Sequence, residues 1–117
     1  SILGAVGILL GAFGAHGLKT VLSQHHYGAY RVGIEYLFFH LAPLLFISYK
    51  DDSKLLNIVG YLFVFGILFF AGSNVLMTTE AVHHVNFHFL WPTTPLGGIM
   101  MTIAWALLAY SLVREKN

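Results

Sequence analysis

The chain has 117 residues, of which 57% are hydrophobic and only 9% are charged. Soluble domains carry about 25% charged residues, so this composition indicates an integral membrane protein and excludes an ordinary soluble domain. The formal net charge of +1 gives no reason to expect nucleic acid as a partner, and the lack of cysteine excludes disulfides and thiolate metal sites.

Four apolar segments are long enough to cross a membrane, which takes about 20 mostly apolar residues. They cover residues 2–18, 28–49, 55–77 and 95–113. Because a helix satisfies its own backbone hydrogen bonds in lipid, the sequence predicts an all-α, integral membrane four-helix bundle, a single domain over residues 1–117. A cleaved signal peptide is not expected, because three more apolar segments follow the first. We expect a few residues to precede Ser1 in the whole protein.

The first segment is unusually rich in glycine. Gly4, Gly7, Gly11 and Gly14 are spaced by three or four residues, so they share one helical face. Each would cost a soluble helix about 1 kcal/mol relative to alanine, whereas in membranes small residues let helix backbones approach closely. We therefore expect this face to contact other helices, and the first helix to be the most buried of the four.

The connections assign the helix ends to two sides of the membrane. Lys50–Lys54 is a tight charged turn, which makes the second and third helices antiparallel neighbours. The side with this turn and both termini, called the terminal side, carries four basic residues. The opposite side, called the loop side, carries Lys19 and Arg31. The positive-inside rule then predicts that both termini face the cytoplasm, or the matrix in a mitochondrion. Pro43 predicts a kink in the second helix.

Polar residues within the apolar segments gather toward the loop side. They are His16, Tyr36, His40, Ser73, Asn74 and Thr94. Ionisable groups inside membranes usually face the bundle interior and pair there, so we expect one polar cluster at a single depth. In it His40 would bond to the Tyr36 hydroxyl, His16 or Asn74. Two interpretations stay open: neutral imidazoles that hold helices together, or a site for a proton, a ligand or a metal.

Other polar residues have simpler explanations. Glu35 follows Arg31 by four residues, which favours a local ion pair. The remaining histidines lie mostly in the connections as the adjacent pairs His25-His26 and His83-His84. Adjacent residues on a helix point about 100° apart and chelate poorly, so we expect neither a metal nor another cofactor.

Four motifs together resemble the small membrane proteins of the domain of unknown function 423. They are Gly11-Ala12-Phe13-Gly14-Ala15-His16, Gly33-Ile34-Glu35-Tyr36 with Phe39-His40, Gly72-Ser73, and Thr94-Pro95-Leu96-Gly97-Gly98. The resemblance covers essentially the whole chain and extends to the eukaryotic transmembrane protein 256. It implies a four-helix protein of bacterial inner membranes or mitochondria, and no activity. It also adds Gly72, Gly97 and Gly98 to the expected helix-packing glycines. Val75 and Ala104 depart from the residues usual in the family.

The function with most support from the sequence is that of a structural or assembly subunit of a larger membrane complex. Short connections and a glycine-lined face suit such a role. Its partners would be the lipid bilayer and other membrane subunits, or further copies of itself. The alternative is a small transporter or channel with the His/Tyr residues as its polar site. We do not expect an enzyme, because no nucleophile–base pair, catalytic carboxylate pair or cofactor fingerprint is present.

Overall fold

The structure, a computed structural model, describes residues 2–50 and 53–116. Its four main helices are Ile2–Leu18, Gln24–Ser48, Lys54–Thr78 and Thr93–Lys116, called helices 1 to 4. Helix 1 ends in a π-helical turn, Gly14–Leu18, and helix 3 contains another, Leu68–Gly72. Glu80–His83 and His88–Leu90 form short turns in the last connection. The described residues contain no strand, and the predicted all-α membrane bundle is confirmed.

Three of the four helices are long and apolar enough to cross a membrane by themselves. Helices 2 and 3 each have 25 residues, and the third candidate span, His88–Glu115, has 28. Helix 1 is shorter but also apolar. Helices 2 and 3 begin earlier than the predicted segments, at Gln24 and Lys54, because a serine caps the N-terminus of each. Ser23 Oγ accepts the backbone N–H of His26 at 3.1 Å, and Ser53 Oγ accepts that of Leu56 at 3.2 Å.

The core lies between helices 2, 3 and 4, and helix 3 is at its centre. Val59 and Phe63 of helix 3 have no exposed surface, and Ile67 is 1% exposed. They pack against small and apolar residues of helix 4, among them Ala104 and Leu108. At the terminal side, Lys50 Nζ lies 2.7 Å from Glu115 Oε1, which joins the ends of helices 2 and 4. Asp51, Asp52, Ser1 and Asn117 lie outside the described residues.

Helix 1 is peripheral, so the expectation that it is the most buried helix is wrong. It packs on helix 2, and its outer face is open, with Ile2, Ile8 and Leu9 between 65% and 79% exposed. The reason lies in the pattern of the segment. Its glycines form one narrow stripe, which is enough for one neighbour, and the residues on its other faces, among them Ile8 and Leu9, remain exposed.

The glycine stripe of helix 1 faces helix 2. A Cβ atom added at Gly7 would lie 2.8 Å from Leu37 Cδ2, and one at Gly14 would lie 2.6 Å from Tyr30 Cε1. At Gly4 and Gly11 the nearest side-chain atoms are 3.5 Å and 3.9 Å away, which is ordinary contact. Gly7 and Gly14 therefore set how closely helix 1 approaches, and the other two positions have room for a side chain.

The closest approach in the bundle joins helices 3 and 4. A Cβ at Gly97 would lie 2.5 Å from the Phe70 backbone nitrogen and 2.6 Å from the Gly66 carbonyl oxygen. Gly72 has no atom within 4 Å of an added Cβ, so assigning it to helix packing is wrong, and Gly98 has only a distant contact, 4.0 Å from Phe70. Gly66, which is not among the predicted packing glycines, makes the close contact with helix 4 instead.

Candidate polar site in the bundle

The second helix breaks at His40. The α-helix runs over Gln24–Phe39 and resumes over Leu41–Ser48. Pro43 causes the break, because it lacks the N–H that would bond to the carbonyl of the residue four positions earlier. The predicted kink is present. His40 stands at the break with its side chain turned inward, and only 7% of its surface is exposed.

Both ring nitrogens of His40 have protein partners. Trp105 Nε1 donates its proton to His40 Nε2 at 3.0 Å. Indole N–H is only a donor, so Nε2 must be the unprotonated nitrogen. His40 Nδ1 therefore carries the proton and donates it to the carbonyl oxygen of Tyr36 at 2.6 Å. This arrangement fits the neutral ring alone, because a proton on Nε2 would face the indole N–H.

Aromatic rings surround the imidazole. Trp105 and Phe63 have ring centres 5.9 Å and 5.6 Å from that of His40, and Tyr36 stacks above it at 6.1 Å. Tyr36 also stacks on Phe70 at 4.7 Å. Helices 2, 3 and 4 thus all contribute to this layer. These rings shield the imidazole, which is 7% exposed, whereas Trp105 and Tyr36 keep 46% and 43% of their surfaces exposed.

A second polar layer lies nearer the loop side. Ser73 Oγ, at the end of the π-helical turn of helix 3, is hydrogen-bonded to Thr94 Oγ1 in the first turn of helix 4. Ser73 also donates to the carbonyl oxygens of its own helix, so its hydroxyl is fully used. Asn74 packs against helix 2 at Gly33, where an added Cβ would lie 3.1 Å from Asn74 Cβ.

The predicted single cluster is therefore divided into two layers and an outlier. His16 is exposed on helix 1 and is not hydrogen-bonded to His40. The expected partners of His40, namely His16, Asn74 and the Tyr36 hydroxyl, are wrong: the Tyr36 backbone carbonyl and Trp105 take their place. Arg31 and Glu35 form the predicted ion pair, with Arg31 Nη2 3.7 Å from Glu35 Oε1.

Trp105 is the residue of this site that sequence reasoning missed, although the chain does contain a signal for it. His40 lies ten residues before Lys50, and Trp105 lies ten residues before Glu115, the partner of Lys50. At 1.5 Å per residue both rings are about 15 Å from the terminal side. A Trp at that depth, away from the membrane interface, needs an acceptor for its N–H.

In the histidine-rich loop, both ring nitrogens of His83 have hydrogen-bond partners. His83 Nδ1 accepts the backbone N–H of Val85 at 3.0 Å, and His83 Nε2 donates to the carbonyl oxygen of Leu76 at 3.0 Å. His84 ends the short helix with φ of 58°, a left-handed conformation. Within residues 2–50 and 53–116, no three His, Asp or Glu side chains are grouped as metal ligands.

A family model described as "Protein of unknown function (DUF423)" matches residues 10–98. The chain belongs to this family. The match spans all six residues of the predicted polar cluster, while Trp105 lies beyond it. A UPF0382 membrane protein of Staphylococcus epidermidis is 32% identical over 97% of this chain and 93% of its own length. YwdK of Bacillus subtilis, also named a UPF0382 membrane protein, is 31% identical over 97% of this chain and 94% of its own length.

A third relative bears on location. YgdD of Escherichia coli, named a UPF0382 inner membrane protein, is 30% identical over 100% of this chain and 88% of its own length. No solved structure matches the chain. The predicted family and the predicted location in a membrane are confirmed. This DUF423 chain is an integral membrane protein, and the polar site described above lies inside its membrane bundle.

The His40–Trp105 bond predicts a measurable coupling between the two residues. We expect His40→Phe and Trp105→Phe each to lower the free energy of unfolding in mild detergent, because each leaves one buried polar group without its partner. The double variant should lose less stability than the sum of the two single losses, by about 0.6–1.7 kcal/mol, the average and the largest coupling measured for interhelical hydrogen bonds in a membrane protein. Thermal unfolding of the unaltered protein, the two single variants and the double variant measures this coupling. Strictly additive losses would show that the bond does not contribute.

Proposed function

We propose that this DUF423 chain is a structural or assembly subunit that packs against another protein in the membrane. One observation carries the proposal: His16, an ionisable residue on an apolar helix, faces outward. Ionisable side chains in membrane segments almost always face protein or a polar cavity, because exposure to lipid is costly. Within the described residues no hydrogen bond to the His16 ring is present, so a partner outside this chain would supply one.

The surface around His16 is consistent with a helix contact. Ala5, Leu9 and Ala12 lie on the same stripe of helix 1 as His16, and all four are exposed. This stripe is on the opposite face from the glycines that contact helix 2. Two alanines leave room for a neighbouring backbone to approach closely, as interfaces between membrane helices commonly require.

Native gel migration after extraction in mild detergent tests the proposal. We expect the chain to migrate with a larger assembly, and His16→Phe or Ala12→Leu to shift it toward its own size without loss of folded protein. His25→Phe is the matched control, because it makes the same chemical change on an exposed histidine in the first turn of helix 2. Migration at the size of the single chain in the unaltered protein would refute the proposal.

The alternative function, a small transporter or channel, would need polar groups that are free to bind a solute. The His40 nitrogens and the Ser73 hydroxyl are engaged within the protein, which favours the subunit role. Growth complementation separates the two. A transporter that moves protons or ligands through His40 would lose function in His40→Phe while staying folded, whereas a subunit should tolerate this change and be sensitive at His16.

A further inference from the structure

A groove runs between helices 1 and 2 from the loop side into the membrane. Its outer part, about 460 Å³, is lined at the mouth by Lys19, Gln24, Tyr27 and Arg31. Its inner part, about 390 Å³, shares Tyr27 and Arg31 with the outer part. The remaining lining of the inner part is Gly11, Gly14, Ala15, Tyr30, Ile34, Glu35 and Phe38. The groove therefore has a charged mouth and a mostly apolar floor.

The two cations at the mouth lack strong partners. Lys19 makes no side-chain hydrogen bond within the described part of the chain. Arg31 faces Glu35 at 3.7 Å, which is beyond hydrogen-bond distance, and both side chains are more than half exposed. Glu35 lines only the inner part of the groove, so the mouth itself carries a net positive charge. A guanidinium and an ammonium group that line one groove at a membrane surface are suited to a phosphate.

The depth of the groove matches a lipid. Arg31 lies seven residues below Gln24, the first residue of helix 2, which is about 10 Å along the helix axis. Beyond Arg31 the inner part is lined by Gly11, Ile34 and Phe38 together with Glu35, and the nearest side-chain atom to a Cβ at Gly11 would be Ile34 Cγ2 at 3.9 Å. A headgroup at the two cations would thus place an acyl chain along an open apolar channel between two helices.

We propose that this groove binds one phospholipid with an anionic headgroup, whose phosphate contacts Lys19 and Arg31 and one of whose chains lies over Gly11. The site is distinct from the His40 layer and from the outer face of helix 1. The lipid would fill the space beside the glycine stripe at Gly11, which lines the inner part of the groove and has no side chain of its own. It would thereby support the attachment of helix 1 at the loop side.

Binding of lipids to the purified, delipidated chain in detergent, followed by native mass spectrometry, tests the site. With phosphatidylglycerol as the probe we expect one tightly retained lipid, and with phosphatidylcholine much weaker retention. Lys19→Gln combined with Arg31→Gln should weaken phosphatidylglycerol binding by about thirtyfold, since each basic residue at a membrane surface contributes about fivefold. Lys54→Gln with Arg114→Gln removes the same charge at the terminal side and should leave binding unchanged.

A second variant examines the chain-binding part of the groove without altering charge. Gly11→Leu should fill the channel and weaken retention of either lipid. Its Cβ would make only an ordinary contact, 3.9 Å from Ile34 Cγ2, and thermal unfolding of the variant in detergent checks that it is folded. Equal retention of the two lipids, or equal loss in the two charge variants, would overturn the proposal. Unchanged retention in Gly11→Leu would likewise overturn it, since the acyl chain would then lie elsewhere.

Discussion

Gly97→Ala should destabilise the bundle more than any other single methyl group added to the chain. The new Cβ would lie 2.5 Å from the Phe70 nitrogen and 2.6 Å from the Gly66 oxygen. Both are backbone atoms of helix 3, so no side chain can rotate to make room. Helices 3 and 4 would have to separate, and the contact between Phe63 and Ala104 would loosen along with them.

We expect a loss of about 2–3 kcal/mol in the free energy of unfolding, at the upper end of the range for overpacked cores. Thermal unfolding in mild detergent, followed by circular dichroism, measures it. Gly98→Ala is the matched control: it is the next residue on the same helix, but its Cβ would lie 4.0 Å from the nearest atom. Similar stability of the two variants would mean that helices 3 and 4 do not approach as closely as described.

The order and type of the helices could be read from the sequence because lipid leaves few choices. A segment of about 20 apolar residues has to be helical, and charged turns have to lie outside the membrane. The start of helix 2 is less well defined by the sequence, since a polar first turn resembles a loop. Ser23 shows why: its cap draws His25-His26 into the helix although neither residue is apolar.

The neighbours of each helix could not be read in the same way. Glycine stripes indicate that a close contact exists and not which helix makes it. Gly66 and Gly72 both lie on helix 3. Gly66 faces helix 4 and pairs with Gly97, whereas Gly72 has open space around it. The glycine content of helix 1 predicts a central helix, yet one narrow stripe of glycines contacts only one neighbour. Helix 3 is central instead, and larger residues such as Phe63 form its buried face.

The polar site was half predictable. The sequence indicates His40 because an ionisable residue deep in an apolar segment has to be paired. The partners it suggests, however, lie nearer the loop side. Counting from the Lys50–Glu115 ends would have placed Trp105 opposite His40, whereas Ser73 and Thr94 lie roughly twice as far from the terminal side. The helix also breaks at His40, three residues before Pro43, and a residue count does not supply this local geometry.

Gly14→Leu should detach helix 1 from the bundle. Tyr30, against which the new side chain would press, is 1% exposed, and an added Cβ already lies 2.6 Å from its ring. The ring cannot swing away freely, because the Tyr30 hydroxyl donates to the Leu10 carbonyl oxygen at 2.5 Å and so connects helix 2 to helix 1. Overpacking and loss of this bond together should cost about 3 kcal/mol. The rest of the bundle should persist, since helices 2, 3 and 4 share a core without helix 1.

A cysteine at Ile34 makes the detachment visible, and the chain has no other cysteine to interfere. Ile34 is 7% exposed beneath helix 1, so maleimide should label Ile34→Cys slowly in the parent protein and rapidly when Gly14→Leu is added. Gly4→Leu is the matched control on the same stripe, with its Cβ 3.5 Å from the nearest side-chain atom, and should leave labelling slow. Equal labelling in the Gly4 and Gly14 variants would contradict the selective role of Gly14, because both changes add the same side chain to the same stripe of helix 1.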